Sequence, residues 1–280
     1  MRKKLLGKPM SMCAYGLVGV GHMGKAIGKI LLAENRKTGE GVMFADSDVA
    51  RLPQLAAGGA NYYATTDVAR VAKMAKVIFL AVRPADVDAV AAQMKPLLRK
   101  SQLIVSIVAG KTLAKLRKEF GPKVRLIRVM PNLGMQVGMG AGAYSPDKSA
   151  GRVDVELIDR LLNSERNKFI RLPEKDLDVV TALSGSGPAF FAYVMIAAAR
   201  AGVKLGLTPK ASALLTEKTI FGTLAYLTET KTATDEFIKA VCTPGGTTEA
   251  GMKELSSGPF DKALLDTLKA AADRARELGK

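Results

Sequence analysis

The stretch Gly16-Leu17-Val18-Gly19-Val20-Gly21-His22-Met23-Gly24 has glycines at the spacing G-x-G-x-x-G, directly after an apolar segment and before a helix-like segment, 25–34. The first glycine permits a tight turn from strand to helix, the second lets the backbone approach a pyrophosphate, and the third lets strand and helix pack closely. Backbone amides at the start of the helix then face the phosphates. Because strand, loop and helix occur in this order, the sequence predicts a dinucleotide-binding site rather than an isolated turn.

An acidic residue stands where such sites bind a ribose. Asp46 ends the next apolar segment, Val42-Met43-Phe44-Ala45, and Ser47 follows it. A carboxylate at this position accepts hydrogen bonds from the ribose hydroxyls of NADH and repels the 2′-phosphate of NADPH. Basic residues such as Arg51 lie nearby in sequence, but we expect a carboxylate fixed on a strand to outweigh them. The sequence predicts NADH or NADPH as the cofactor, with NADH preferred.

Short β-rich apolar segments alternate with helical segments up to about residue 173. The predicted strands are 14–20, 42–46, 76–82, 103–108 and 124–130, with a minor strand near 61–63 and helices such as 85–98 and 112–120 between them. Alternation of this kind is typical of a parallel, doubly wound sheet of the Rossmann type. We therefore predict a dinucleotide-binding domain over residues 1–173. Residues 1–12 are expected to form a disordered lead, because they lack the apolar core of an export signal.

The second half of the chain has a helical character. Residues 189–199 are eleven consecutive apolar residues, too many for a typical strand, and a helix of this composition has to be buried on every side. One small domain cannot easily surround it, which implies a partner subunit. Near the C-terminus, leucines and alanines recur at three- and four-residue spacing and predict a helix with one buried face. We therefore predict a helical dimerisation domain over residues 174–280.

Two motifs rich in small residues interrupt this half. Ser184-Gly185-Ser186-Gly187-Pro188 precedes the apolar helix, and its glycines and serines indicate close approach of a ligand or another chain. Thr243-Pro244-Gly245-Gly246-Thr247-Thr248 precedes a helix predicted from Glu249. Successive amides in such a turn can bind an anion. The threonine hydroxyls could instead cap the helix. Alone, the motif favours capping, whereas beside a nicotinamide site it favours a turn that binds a carboxylate.

Charge and composition exclude several classes of function. The net charge is +16, but the 42 basic residues are spread along the chain without an RNP-type motif or zinc-finger spacing, so we predict no nucleic-acid partner. A basic surface also attracts anionic small molecules. No apolar run has the length of a transmembrane helix, so we predict no membrane partner.

The scarcity of cysteine and histidine limits the chemistry further. Cys13 and Cys242 are far apart in sequence, which favours a reducing compartment and a cytoplasmic location. With two cysteines and the single histidine His22, we expect no metal site of nitrogen and sulfur ligands. The same scarcity argues against serine hydrolases and against hydroxy-acid dehydrogenases that use a catalytic histidine.

Six segments of the chain resemble one known family, the pyrroline-5-carboxylate reductases. The resemblance extends from about residue 16 to the C-terminus, and its last two segments are specific to that family. The segments are Gly19-Val20-Gly21-His22-Met23-Gly24, Ala81-Val82-Arg83-Pro84, Ser106-Ile107-Val108-Ala109-Gly110, Arg128-Val129-Met130-Pro131-Asn132, Thr181-Ala182-Leu183-Ser184-Gly185-Ser186-Gly187-Pro188-Ala189 and Thr243-Pro244-Gly245-Gly246-Thr247-Thr248.

The resemblance implies reduction of the C=N bond of 1-pyrroline-5-carboxylate to L-proline with NADH or NADPH. It implies that Thr248 contacts the imine nitrogen, that Gly245, Gly246 and Thr247 supply amides for the substrate carboxylate, and that Ser184 and Ser186 border the pocket. It also implies a homodimer, and such dimers could assemble into a larger ring. The predicted coenzyme-binding residues are Gly19, Gly21, His22, Met23, Gly24, Asp46, Ser47, Ala81, Val82, Arg83, Pro84, Ala109, Gly110 and Asn132.

The chain departs from the family pattern at three positions that touch the coenzyme face. His22 replaces the usual asparagine, Arg83 replaces the commoner lysine, and Leu133 replaces the usual threonine.

Two alternative functions stay open. A hydroxy-acid dehydrogenase of the 3-hydroxyisobutyrate type would need a lysine within 184–199, which contains none. A non-catalytic dinucleotide sensor would keep the glycine loop but would have no use for the motif at 243–248.

Overall fold

The computed structural model describes residues 12–55 and 62–279, and these residues form an eight-stranded sheet. The strands lie in the order β3-β2-β1-β4-β5-β6-β7-β8, parallel from β3 to β6, with β7 antiparallel to β6 and β8 parallel to β7. This confirms the predicted α/β fold with a doubly wound, Rossmann-type sheet. The strands are β1 (Cys13–Val18), β2 (Val42–Ala45), β3 (Tyr62–Thr65), β4 (Ala75–Leu80), β5 (Leu103–Ser106), β6 (Arg125–Met130), β7 (Ala141–Pro146) and β8 (Lys168–Arg171).

Helices cover both faces of the sheet. They are α1 (His22–Thr38), α2 (Val68–Met74), α3 (Val87–Met94), α4 (Leu113–Phe120) and α5 (Arg152–Leu162). Every residue of β1, β2 and β5 is buried, as expected for central parallel strands that have helices on both sides. Gly16 shows how close this packing is, because a Cβ there would lie 2.5 Å from Cγ1 of Val71 in α2.

Several element boundaries differ from the predictions. The strands β7 and β8 were not predicted, because they are short and mix polar and apolar residues. The helix α5 was not predicted either, although its buried Ile158, Leu161 and Leu162 recur at helical spacing and were a signal for it. The predicted helix 85–98 is interrupted after α3 by a 3₁₀ turn, Lys95–Leu97, at Pro96, which lacks an amide hydrogen. The minor strand predicted near 61–63 is observed as β3, and residue 61 lies outside the described residues. Residues 1–11 of the predicted lead also lie outside them.

The remaining helices follow a π-helical turn. They are α6 (Leu177–Val180), α7 (Gly187–Lys204), α8 (Pro209–Thr230), α9 (Thr234–Val241), α10 (Thr247–Ser257) and α11 (Phe260–Gly279), and the turn, Thr181–Gly185, joins α6 to α7. The predicted C-terminal helix is confirmed as α11. Only Ala275 is buried among the residues whose spacing predicted a buried face, which are Leu264, Leu268, Ala271, Ala275 and Leu278. The other buried residue, Ala272, lies outside that set. The helix predicted from Glu249 begins two residues earlier, as α10.

The apolar helix 189–199 lies within α7 but is not buried in the single chain. Gly187 is the buried residue of α7, whereas the side chains of Phe191 and Tyr193 are 57% and 64% exposed. This agrees with the expectation that one small domain cannot surround the helix. Its burial by a partner subunit stays a prediction. Large apolar side chains of α8 are exposed as well, among them Phe221 and Leu224.

One helical stretch, Glu174–Lys204, is long and apolar enough to cross a membrane if length and composition are the only criteria. The π-helical turn and Ser186 interrupt its regular α-helical hydrogen bonding. Exposed apolar surface of this kind also marks protein interfaces.

The chain divides into two compact units. One contains the sheet and extends to Ser186, together with the residues from Ala271 onward, and the other contains residues 187–270. We call them the sheet unit and the helical unit. The division at 186 falls later than the predicted boundary at 173, because α6 and the π-helical turn contact β7. The domain boundary at 173 itself stays a prediction.

Candidate active site

The glycine loop after β1 has the conformation that its sequence predicts. Gly19 has a φ of +95°, a left-handed conformation that favours glycine, and a Cβ there would lie 2.5 Å from the carbonyl oxygen of Ala81. A Cβ at Gly24 would collide with the carbonyl oxygen of Gly19. The first and third glycines are therefore needed for close packing of the loop against β4 and α1.

The second glycine borders open space. A Cβ at Gly21 would meet no atom within 4 Å. Gly21 is also the N-cap of α1, where no side chain caps the helix and no acidic residue lies in the first turn. The amides at this end of a 17-residue helix are thus available to phosphate oxygens. The residues present fit the pyrophosphate of a dinucleotide, and the exposed His22 and half-buried Met23 follow on the first turn.

Asp46 lies directly after β2 and faces the glycine loop. Its Oδ2 accepts a hydrogen bond of 2.6 Å from the amide of Val20, and its Oδ1 accepts one of 2.9 Å from the amide of Asp48. Its side chain is only 5% exposed, whereas the adjacent Ser47 is exposed. Two of its roughly four lone-pair positions are thereby used, and the others can accept ribose hydroxyls. The sequence pattern did not reveal this bond to Val20.

Arg51 is held between two carboxylates at this corner of the sheet. Its Nε lies 3.2 Å from Oδ2 of Asp48, and its Nη1 lies 3.8 Å from Oδ2 of Asp46. Two negative charges therefore surround one positive charge, and the formal charge of this trio is −1. The formal charge of these three side chains is thus negative, whereas that of the whole chain is +16.

The other predicted coenzyme residues lie at the same edge of the sheet, because β1, β2, β4, β5 and β6 are parallel and end there. Ala81 and Val82 are half-buried after β4, and Pro84 begins a 3₁₀ turn. Arg83 projects into solvent with its side chain 84% exposed, and its Nε donates to Asp86 at 2.8 Å. The topology thus brings the residues from 81 to 84 beside the glycine loop.

The turn after β5 is fixed by contacts on two sides. Gly110 has a left-handed φ of +72°, and a Cβ there would lie 3.1 Å from Cβ of Leu278 in α11. The next residue, Lys111, donates to Asp88 at 2.8 Å and to Glu119 at 2.7 Å. Burial lowers the pKa of Lys111, but these two carboxylates raise it more, so its net shift is upward. Ala109 and Gly110 are therefore held between α3, α4 and α11.

The predicted residue Asn132 belongs to a group of contacts around Ala141, at the start of β7. Oδ1 of Asn132 accepts from the amide of Ala141 at 3.1 Å, and the hydroxyl of Ser184 donates to the carbonyl of Ala141 at 2.9 Å. A Cβ on Gly185 would collide with the side chain of Met130. The amide of Ser186 bonds to the carbonyl of Thr181, which closes the π-helical turn. Ser184 thus lies at the carboxyl edge of the sheet, near Asn132.

The motif at 243–248 lies in the helical unit and forms a β-turn before α10. The amide of Gly246 donates to the carbonyl of Thr243 at 2.9 Å, and Gly245 has a φ of +70°. Proline followed by a left-handed glycine is typical of a type II turn. The amide of Gly246 is thereby used within the turn, so it is not available to an anion as predicted.

The threonines of this motif do not cap α10. Thr247 and Thr248 are its first residues, Gly246 is the N-cap, and no side chain caps that end. The capping interpretation is therefore wrong, and the amides of Thr247 and Thr248 are left at the N-terminus of an 11-residue helix. The amide of Gly245 donates to Oε2 of Glu249 at 2.8 Å. Sequence reasoning missed Glu249, although its place in the first turn of a helix was a signal.

Two family models match parts of this chain. A family model described as pyrroline-5-carboxylate reductase dimerisation matches residues 174–278, and one described as NADP oxidoreductase coenzyme F420-dependent matches residues 14–110. A pyrroline-5-carboxylate reductase of Pisum sativum is 34% identical over 263 residues, which cover 94% of this chain and 95% of the relative. The chain belongs to the pyrroline-5-carboxylate reductase family.

Solved structures of pyrroline-5-carboxylate reductases share the fold. The protein of Coxiella burnetii is 29% identical, with a TM-score of 0.86 and coverage of 96% of this chain and 100% of the relative. The protein of Plasmodium falciparum, solved with NADP bound, is 26% identical, with a TM-score of 0.79 and coverage of 97% and 100%. Membership of the pyrroline-5-carboxylate reductase family confirms the resemblance that the sequence motifs indicated.

Proposed function

We propose that this protein reduces the C=N bond of 1-pyrroline-5-carboxylate to L-proline. The observation that carries the proposal is that one chain of this family contains both required parts. One is a glycine loop whose uncapped helix start fits a dinucleotide, and the other is the turn at 243–248, with unused amides at the start of α10.

The residues available suit reduction of an imine. A cyclic imine can take up a proton from water before reduction, so no protein acid has to deliver one during the reaction. This agrees with a chain whose single histidine, His22, lies exposed at the start of α1. The bound nicotinamide supplies the hydride. The protein's task is to hold the substrate carbon against the coenzyme and to exclude water.

We assign substrate binding to the turn before α10. The hydroxyl of Thr248 accepts a hydrogen bond from the protonated imine nitrogen, and the amides of Gly245, Thr247 and Thr248 bind the substrate carboxylate. Helix N-termini favour negative charge, which supports this orientation. We also assign Ser184, in the π-helical turn, and Ser186, directly after it, to substrate binding.

We propose NADH as the preferred coenzyme. The support is the formal charge of −1 on the Asp46, Asp48 and Arg51 trio, which repels a 2′-phosphate at the end of β2. Arg51 offsets only one of the two carboxylate charges, so a net negative charge remains. The relative from Plasmodium falciparum was solved with NADP bound, which is the contrary indication within the family.

We further propose a homodimer formed through the helical unit. Such dimers could assemble into a larger ring. The exposed apolar side chains of α7 and α8 and the match to the family's dimerisation model support the dimer. A cytoplasmic location, with no metal and no membrane or nucleic-acid partner, completes the proposal. The two distant cysteines and the scattered basic residues support it.

The decisive experiment is turnover of 1-pyrroline-5-carboxylate, followed as oxidation of NADH and NADPH. We expect Thr248→Ala to lower kcat/KM by roughly 10- to 100-fold with little change in coenzyme affinity, because a hydrogen bond to a charged group is worth about 1.5–3 kcal/mol. Thr248→Ser should retain most activity. Ser256→Ala, in the same helix, is the matched control.

The alternatives give different results in the same assay. Oxidation of 3-hydroxyisobutyrate without reduction of the imine would identify a hydroxy-acid dehydrogenase. Coenzyme binding without turnover of either compound would identify a dinucleotide sensor. Unchanged kinetics for Thr248→Ala would show that the proposed contact with the imine nitrogen is wrong.

A further inference from the structure

The turn before α10 already holds a carboxylate that belongs to the chain itself. Oε2 of Glu249 accepts the amide hydrogen of Gly245 at 2.8 Å. This amide belongs to the left-handed residue of the type II turn, and it is one of those that the sequence assigns to the substrate carboxylate. Because the turn binds the carboxylate of Glu249, it has the geometry to accept a carboxylate.

We propose that Glu249 is an internal competitor of the substrate carboxylate and sets the enzyme's affinity for it. In the free protein, Glu249 holds the Gly245 amide. When the substrate binds, its carboxylate takes this amide together with those of Thr247 and Thr248, and the Glu249 side chain turns into solvent. This inference rests on the proposed function, since it concerns the same site.

Hydrogen bonds within the turn leave few backbone amides for both the Glu249 carboxylate and the substrate carboxylate. The amide of Gly246 is used by the carbonyl of Thr243, and the amide of Ala250 bonds to the carbonyl of Gly246 at 3.3 Å. The amides left for a bound carboxylate are therefore those of Gly245 and of the first turn of α10, Thr247, Thr248 and Glu249. A substrate carboxylate that takes them displaces Glu249 from Gly245.

Charge makes this competition stronger. Within residues 187–270, no lysine or arginine forms an ion pair with Glu249, whereas Lys218 pairs with Glu217 and Lys262 pairs with Asp266. Within these residues, no ion pair therefore compensates the Glu249 carboxylate beside the incoming substrate. Its side chain is exposed, so it can leave the amide without disturbing a packed core.

A purely structural role for Glu249 predicts a different change in KM from the competitor role. If its bond to Gly245 only stabilises the start of α10, then Glu249→Gln should behave like the parent, because glutamine also fits this position, and Glu249→Ala should weaken substrate binding. If Glu249 competes with the substrate, both variants should bind the substrate more tightly than the parent. The sign of the change in KM therefore separates the two roles.

The test compares two imines in the parent, Glu249→Gln, Glu249→Ala and the control Glu254→Gln, which lies farther along α10. We expect the KM for 1-pyrroline-5-carboxylate to fall by roughly two- to fivefold in both Glu249 variants, the effect of one exposed charge. The KM for 1-pyrroline, which has no carboxylate, should not change. L-proline should bind the complex with oxidised coenzyme more tightly, by a similar factor in calorimetry.

The outcomes distinguish this inference from the proposed function. If the parent turns over 1-pyrroline-5-carboxylate but the Glu249 variants have an unchanged or higher KM, the competitor role is wrong and the proposed function stands. An equal change in KM for both imines would also overturn the competitor role, because the effect would not depend on the substrate carboxylate. If the parent turns over neither imine, the proposed function fails and this inference fails with it.

Discussion

The carboxylate of Asp46 accepts a hydrogen bond of 2.6 Å from the backbone amide of Val20, which lies 26 residues earlier in the chain. The residue that the sequence assigns to the ribose thus also fixes the glycine loop between Gly19 and Gly21. This double role changes how the coenzyme preference has to be tested, because removing Asp46 disturbs the loop as well as the charge.

Replacing Asp46 with alanine should weaken the binding of both coenzymes and lower stability. The buried amide of Val20 loses its partner, which costs about 1–3 kcal/mol. Asp46→Asn keeps an acceptor oxygen and should retain most of that stability. Urea unfolding and coenzyme titration measure the two effects, with the exposed Asp273→Ala as the control. Equal stability of Asp46→Ala and the parent would contradict the anchoring role.

Replacing Asp48 with asparagine should favour NADPH. The substitution frees Arg51 to meet a 2′-phosphate and leaves the bond between Asp46 and Val20 in place. We expect the ratio of kcat/KM for NADPH to that for NADH to rise by roughly two- to fivefold, the effect of one exposed charge pair. Arg51→Gln is the matched variant and should shift the ratio the other way. An NADPH preference in the parent would show that the negative trio does not decide the coenzyme.

A charge on the exposed apolar face of α8 should dissociate the proposed dimer. Phe221 is 64% exposed in the single chain, so Phe221→Glu leaves the fold of that chain unstrained. In a dimer that covers this face, an unpaired carboxylate would be buried at a large cost. Light scattering should show a dimeric parent and a monomeric variant, with Glu229→Gln on the same helix as the control. A monomeric, folded parent would contradict the dimer.

Acid should weaken the sheet unit partly through Asp147. Its carboxylate accepts from the amide of Ser149 at 2.8 Å and from Arg117 at 3.2 Å. Burial raises the pKa of Asp147, but these hydrogen bonds lower it more, so its net shift is downward. A lowered pKa in the folded state adds stability above the unfolded value of about 3.9, and this stability is lost as the pH falls through the folded value.

Asp147→Asn should remove this part of the pH dependence. We expect it to cost about 1–3 kcal/mol of unfolding free energy at pH near 7. The variant should then lose less stability than the parent between about pH 4 and pH 3. The measurement is urea unfolding at about pH 7, pH 4 and pH 3, with Asp273→Asn as the exposed control. Parallel losses in parent and variant would contradict the assignment.

Much of the fold follows from local sequence patterns. Apolar segments such as Val42-Met43-Phe44-Ala45 form buried strands because helices cover both faces of a parallel sheet. The strands β7 and β8 were missed because they are short, lie near the edge of the sheet and mix polar and apolar residues, whereas the helical spacing of apolar residues in α5 was a signal that could have predicted it. The exposure of α7 in one chain was expected from its composition, since one small domain cannot surround an apolar helix.

The sequence by itself determined the positions of the glycine loop, the acidic residue after β2, and the turn at 243–248. Each depends on local backbone geometry, such as the left-handed φ at Gly19 and at Gly245. Only the tertiary structure decided that Asp46 bonds to Val20 and that Arg51 is held between two carboxylates. It also decided which amides of the turn are already used. The physical reason is that a polar side chain bonds to whichever partner the folded chain brings near, and sequence spacing does not record that partner.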